Sequence, residues 1–199
     1  MQHSSFERDF AAYNGAQRGR AVRPLARRAV QEAGSRPERS VHPAIDLGSG
    51  VGVESRFLAE NGYTVHSFDV DPSVAAAMGD LSAKLPVHHT TTDLAEISSL
   101  PDADLILACM SLPFVRQEAF DDLWRIIRRA LRPGGILAVD LFGDRDDWAG
   151  TDGTFLTRAD TDALLVGLEV ISQTEVERDG TSFRGPKHWH TYQVIARRL

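Results

Sequence analysis

One cysteine, Cys109, stands in a chain of 199 residues. It has no partner for an internal disulfide, and a zinc site built of cysteines is ruled out. No apolar run approaches the length of a membrane-crossing helix, and the first residues lack the charged-then-apolar pattern of an export signal. The cytoplasm is therefore the expected compartment, with no membrane partner. Basic charge is also short: 22 lysines and arginines stand against 28 acids, for a net charge of −6. That balance offers no general attraction to nucleic acid, and none is expected as a partner. Internal repeats and low-complexity tracts are missing too, so neither a solenoid nor a disordered tail is expected. What remains is the composition of an ordinary globular domain, 42% hydrophobic and 25% charged.

Glycine, by contrast, is concentrated in one place. The stretch Ala44-Ile-Asp-Leu-Gly-Ser-Gly-Val-Gly-Val-Glu-Ser55 runs from an apolar entry through Asp46 into Gly48, Gly50 and Gly52, then into helix-forming residues. This reads as strand, loop and helix, with missing Cβ atoms letting the backbone come close against a nucleotide. It is not the dinucleotide fingerprint G-x-G-x-x-G, whose third glycine would fall where Val53 stands. A carboxylate at Asp46 suits a ligand with a cationic amine better than a pyrophosphate, which it would repel. The next apolar stretch, Thr64 to Pro72, places Asp69 about 20 residues after Gly48, where an acid accepts both hydroxyls of a ribose. Asp71-Pro72 reads more simply as the cap and first turn of the following helix.

In these residues the chain resembles the class I S-adenosylmethionine-dependent methyltransferases, whose first motif is an acid followed by G-x-G-x-G and whose second is an acid ending the next strand. The resemblance implies an α/β fold: a Rossmann-like, doubly wound, mostly parallel seven-stranded sheet with helices on both faces and an antiparallel last strand. It implies S-adenosylmethionine as cofactor and S-adenosylhomocysteine as its product. The implied cofactor residues are Asp46, Gly48, Ser49, Gly50 and Gly52 at the loop, and Asp69 and Val70 at the second strand. A third motif, at Thr92-Asp93-Leu94, adds Asp93 and Leu94 at the adenine. Asp93 also suits a cap on a short helix through Ala95 and Glu96. The basic, aromatic-rich last strand is loosely similar to that of methyltransferases of the tellurite-resistance type.

Residues 1–40 are expected to form an N-terminal helical lid or cap, and 41–199 the Rossmann-like core of the same single domain. Phe6, Phe10 and Tyr13 punctuate a polar start; Val22, Leu25, Ala26, Ala29, Val30 and Ala33 then recur at helical spacing up to Gly34. Arg20, Arg23, Arg27 and Arg28 read as the solvated face of that helix. Tyr13 is a lid residue in the resemblance, or else an aromatic anchoring the first helix to the sheet. A polar stretch from Ser35 to Ser40 leads into the first strand, and a short third strand is expected over Val87 to Thr91. The apolar run from Asp104 to Met110 is that of a central parallel strand covered on both faces. Ligands lie outside the carboxyl ends of such strands where the order reverses, which puts Met110, Ser111 and Phe114 in the cleft between donor and acceptor. Ser111 is no candidate nucleophile, since no G-x-S-x-G elbow surrounds it. Phe120, Leu123, Trp124, Ile127 and Leu131 keep helical spacing, and Pro133-Gly134-Gly135 turns the chain into a fifth strand over Ile136 to Leu141. A helix over 158–166 and two strands over 168–176 and 188–196, joined around Asp179-Gly180, complete the pattern.

On the acceptor side, Asp144 and Arg145 in the loop from Phe142 to Trp148 either orient a substrate or form a solvated turn. His188 and His190 share a strand face with Tyr192 and Val194. Either imidazole could serve as a general base near neutral pH, though packed or edge histidines are the plainer reading. His88 and His89 are neighbours on a strand and point to opposite faces, and no metal is expected. The expected function is transfer of a methyl group from S-adenosylmethionine to a small molecule, by a monomer or homodimer. Two alternatives stand beside it: a nicotinamide-dependent oxidoreductase on a similar sheet, against which Val53 counts, and a non-catalytic module using the nucleoside site to sense cofactor or scaffold a partner.

Overall fold

The computed structural model describes residues 10–34 and 41–199; Phe6 and the stretch from Ser35 to Ser40 lie outside the described residues. Two helices come first, α1 (Phe10–Ala16) and α2 (Pro24–Ala33), followed by β1 (Pro43–Leu47), α3 (Val53–Glu60), β2 (Thr64–Asp69), α4 (Ala75–Ser82), β3 (Val87–Thr91) and β4 (Ala103–Ala108). Then follow α5 (Gln117–Ala130), β5 (Leu131–Gly143), β6 (Phe155–Leu156), α6 (Arg158–Leu164), β7 (Leu168–Ser182) and β8 (Gly185–Arg198).

The strands lie in the order β3-β2-β1-β4-β5-β8-β7. Those from β3 to β5 are parallel, while β8 runs antiparallel to both β5 and β7. This is the expected mostly parallel seven-stranded sheet with its last strand reversed, plus one addition: the two-residue β6 pairs beside the end of β5. Chain order reverses between β1 and β4, so a crevice opens at their carboxyl ends.

The two-residue period of the central strands feeds two cores. Ile45, Leu47, Ile106, Ala108, Leu137 and Val139 face α5, whose Phe120, Leu123, Trp124 and Ile127 are buried at helical spacing. On the other face, Ala44, Leu105, Leu107, Ile136 and Ala138 pack with Leu25, Ala26 and Ala29 of α2, Leu58 of α3 and Met78 of α4. Each large side chain so buried contributes about 1.5–3 kcal/mol. These contacts hold the strand ends that carry the site.

Two boundaries differ from the sequence reading. Pairing of β5 begins at Leu131, opposite Ala103, ahead of the glycine pair. The turn expected at Asp179-Gly180 lies instead at Phe183-Arg184, and the pairs Asp179 with His188 and Gly180 with Lys187 continue the ladder to Ser182 with Gly185. Gly185, at φ 116°, follows the turn. Ser182 Oγ closes it, accepting from the Arg184 amide at 3.2 Å and donating to the Gly185 carbonyl at 3.0 Å. Gly180 is small for another reason: a Cβ there would meet Arg178 at 3.1 Å and Trp189 at 3.3 Å. The longer hairpin reaches the site.

Candidate active site

The loop after β1 requires glycine for its backbone: φ is 75° at Gly48, 51° at Gly50 and 79° at Gly52. Space gives a second reason, and its source differs from the expected close approach of a ligand. An added Cβ would first meet protein, namely Ser111 Cβ at 2.2 Å from position 48, Asn14 Oδ1 at 2.8 Å from 50 and Met78 Sδ at 2.6 Å from 52. The loop is thus where the β4 end, α1 and α4 converge. Its amides are tied to the tip of β2: Gly48 and Ser49 donate to the Phe68 carbonyl at 2.8 and 3.0 Å, and Gly50 to Asp69 Oδ2 at 2.7 Å. Asp69 Oδ1 accepts from the Asp71 amide at 2.9 Å. Asp46 lies behind the loop, 2% exposed, and accepts from Ser55 Oγ at 2.6 Å. Burial, then the nearby Glu54 charge, pushes its carboxyl up to about 7 against the pull of that hydrogen bond.

A cavity of about 430 Å³ opens over this loop, lined by Gly48, Ser49, Gly50, Asp69, Val70, Asp93, Leu94, Met110, Ser111 and Phe114 among others. Asp93 caps the short helix after β3 through Ala95 N at 2.9 Å, so the capping alternative is realised at a residue that also lines the cavity. Asp71 is likewise a cap, accepting from Ser73 N at 2.9 Å, and it accepts from Asn14 Nδ2 at 2.8 Å. The other side is closed by the N-terminal segment. Arg20 makes a two-pronged ion pair with Glu54, in the first turn of α3 and 3% exposed. The Arg23 amide donates to the same carboxylate at 3.1 Å, and its guanidinium donates to the Tyr13 hydroxyl at 3.1 Å. Arg20 Nε, Arg23 Nε and Ser49 Oγ are buried without a hydrogen-bond partner. Each such orphan costs about 1–3 kcal/mol unless a ligand satisfies it.

A second cavity, about 340 Å³, shares Phe10, Tyr13, Gln17, Arg23, Met110 and Phe114 with the first. Its wall is aromatic, with ring centroids of Phe114–Phe142 at 5.8 Å, Phe142–Trp189 at 6.0 Å and Trp148–Trp189 at 5.7 Å. Phe183 at the hairpin turn completes it and meets Tyr13 edge-on at 5.9 Å. Met110, between the two cavities, has φ 61°, which no other non-glycine residue among those described shares in sign.

Residues 45–139 match the family model "Methyltransferase domain". That stretch carries a methyltransferase domain. The chain is 29% identical over 93 residues to Hemagglutinin 1 of Eikenella corrodens, a match spanning 46% of this chain and only 31% of that protein. In three dimensions it is similar to TehB from Haemophilus influenzae, with a TM-score of 0.77 and 17% identity over 96% of this chain and 67% of that one. It is similar also to the N-methyltransferase NodS from Bradyrhizobium japonicum WM9 in complex with S-adenosylhomocysteine, with a TM-score of 0.66 and 18% identity over 97% and 89% of the two chains.

Of the residues singled out in the sequence, the fold brings Gly48, Ser49, Gly50, Asp69, Val70, Asp93, Leu94, Met110, Ser111, Phe114 and Tyr13 to the first cavity. Asp46 and Gly52 stand behind its wall rather than in it. Asp144 and Arg145 line neither cavity; Arg145 turns outward to Glu175 and Glu177, at 2.8 Å each, which is the solvated-turn alternative. His190 is fully buried, accepting from the Arg145 amide at 3.1 Å and meeting Glu175 at 3.0 Å. His188 lies between Asp179 and Glu177, which raise its pKa, and neither histidine lines a cavity. Arg20 and Arg23, read as a solvated helix face, are instead cavity residues held by Glu54. Not singled out were Asn14 within the expected lid, Phe142 and Trp148 at the ends of the loop expected on the acceptor side, and Glu54 and Trp189. Among the described residues, no helix is long and apolar enough to cross a membrane.

Proposed function

We propose that the domain transfers a methyl group from S-adenosylmethionine, seated over the loop after β1, to a small molecule held in the aromatic cavity beside it. The observation that supports this reading is the wall the two cavities share at Tyr13, Met110 and Phe114. When bound, the cofactor supplies an electrophilic methyl group on a sulfonium; the chain supplies alignment and exclusion of water. Asp69 spends one lone pair of each oxygen on the Gly50 and Asp71 amides and keeps others for two ribose hydroxyls. Asp93 accepts from the exocyclic amine of adenine, beside the buried Leu94, and Val70 borders the nucleoside. The Arg20–Glu54 pair with Ser49 Oγ suits an amino-acid end that carries both charges: the unpartnered Arg20 Nε and Ser49 hydroxyl face its carboxylate, and Glu54 its amine. Gly48, Gly50 and Gly52 shape the loop and Asp46 supports it from behind. The helix α1, with Tyr13 and Asn14, is the lid, and Ser111 holds the β4 end against β1 through its hydrogen bond to the Leu47 carbonyl at 2.5 Å.

Calorimetric titration with S-adenosylhomocysteine tests the donor half. Saturable micromolar binding to the native chain, weakened about tenfold or more in Asp69→Ala, is the expected result. A folded protein that does not bind, or an Asp69→Ala variant that binds unchanged, would overturn it.

A further inference from the structure

The aromatic cavity has a charge pattern of its own. Phe142, Trp148 and Trp189 are already engaged from behind by Lys187, whose Nζ lies 5.2, 4.3 and 4.1 Å from their ring centroids. Lys187 is 3% exposed, ion-paired with Asp146, and does not line the cavity. A ligand cation on the open faces of these rings meets density already polarised by a fixed ammonium and is repelled by it, so the cavity is a poor cage for one. The polar groups that do line the cavity include Arg23, Arg184 and Gln17, and no carboxylate or imidazole is present among the described lining residues. Arg23 donates to Tyr13 and has its buried Nε without a partner. Its side chain makes no ion pair among the described residues, although the buried Asp140 feels its charge and Glu54 accepts from its amide at 3.1 Å; a guanidinium half-buried beside aromatic rings and without a direct carboxylate contact is matched by a ligand anion.

Resting on the assignment of the first cavity to the cofactor, we propose that the second takes a planar aromatic anion and that Arg23 pairs with its negative charge. The ring fills the space between Phe114 and Trp189 in edge-on or offset contact. The methyl acceptor is then a heteroatom that reaches the site already ionised. Its lone pair forms the bond to the methyl carbon as the carbon–sulfur bond breaks and that electron pair returns to sulfur. The anionic and sulfonium charges cancel, giving a neutral methylated product and a thioether, with no proton left for the protein to take. This accounts for a transfer site away from both His188 and His190.

The test uses three probes on one ring: 4-nitrobenzenethiolate, 4-nitrobenzyl alcohol and 4-nitrobenzylammonium, each titrated calorimetrically into protein saturated with S-adenosylhomocysteine. The thiolate is expected to bind at least about tenfold tighter than either of the others, and Arg23→Gln to abolish that preference. With S-adenosylmethionine in place of the product, the thiolate is expected to be converted to its methyl thioether and the alcohol left unchanged. Equal or tighter binding of the alcohol or the ammonium by the native chain, methylation of the alcohol at a comparable rate, or an anion preference that survives in Arg23→Gln would overturn the proposal. If S-adenosylhomocysteine binds and the anion is not preferred, this inference alone falls; if S-adenosylhomocysteine does not bind, both readings fall.

Discussion

Asp46 shows how a single carboxyl couples the loop to pH. Its folded-state pKa, about 7, lies above the ordinary carboxylate value near 3.8 because burial and Glu54 disfavour the charge. Between those values this group holds more of its proton in the native state than in the unfolded chain, so its contribution to stability falls as pH rises from about 4 to about 7 and then levels off. Asp46→Asn keeps an oxygen for the Ser55 hydroxyl and removes the titration. The variant is expected to match the native chain near pH 4 and to exceed it at pH 8 by an amount on the order of 2–4 kcal/mol. Urea midpoints measured across that range check this, and parallel profiles for the two proteins would refute it.

The element most exposed to test is α1, a seven-residue helix held by side chains rather than by a large core. Its buried anchor is the hydrogen bond from Asn14 to Asp71, worth about 1 kcal/mol net. Asn14→Ala is expected to raise the rate of tryptic cleavage at Arg18 or Arg20 about fivefold, and S-adenosylhomocysteine to slow cleavage of the native chain. Cleavage unchanged by the substitution would mean that α1 is held elsewhere. The segment that follows α1 marks the limit of the sequence reading. The glycine loop was legible because three positive φ angles in five residues demand glycine, and Asp69 because strand ends recur at a fixed distance. Met110, Ser111 and Phe114 followed from the reversal of strand order. Arg20 and Arg23 were not legible, because their partner Glu54 is 34 and 31 residues away and the helical spacing alone points them to solvent. The aromatic wall had a readable signal: the two-residue period that sets His188 and His190 on one face of β8 sets Lys187 and Trp189 on the other.

At the scale of the whole molecule, the central strands support both cavities from below. Ile106, in the middle of β4, is fully buried and pairs with Ile45 and Leu137 on either side. Ile106→Ala is expected to cost about 2–5 kcal/mol and, for a chain of this size, to lower the melting temperature by about 10 °C. Affinity for S-adenosylhomocysteine, measured well below the transition, is expected to change less than twofold; a large loss would show that the strand interior tunes the cavity directly.

Two of the three tryptophans, Trp148 and Trp189, stand in the wall of the aromatic cavity, while Trp124 is buried in the core of α5 with its indole N–H on the Leu164 carbonyl. The tryptophan emission of a Trp124→Phe protein would therefore come only from that wall, and it would report occupancy of the second cavity without any added label. The molecule carries its own optical gauge for finding its substrate.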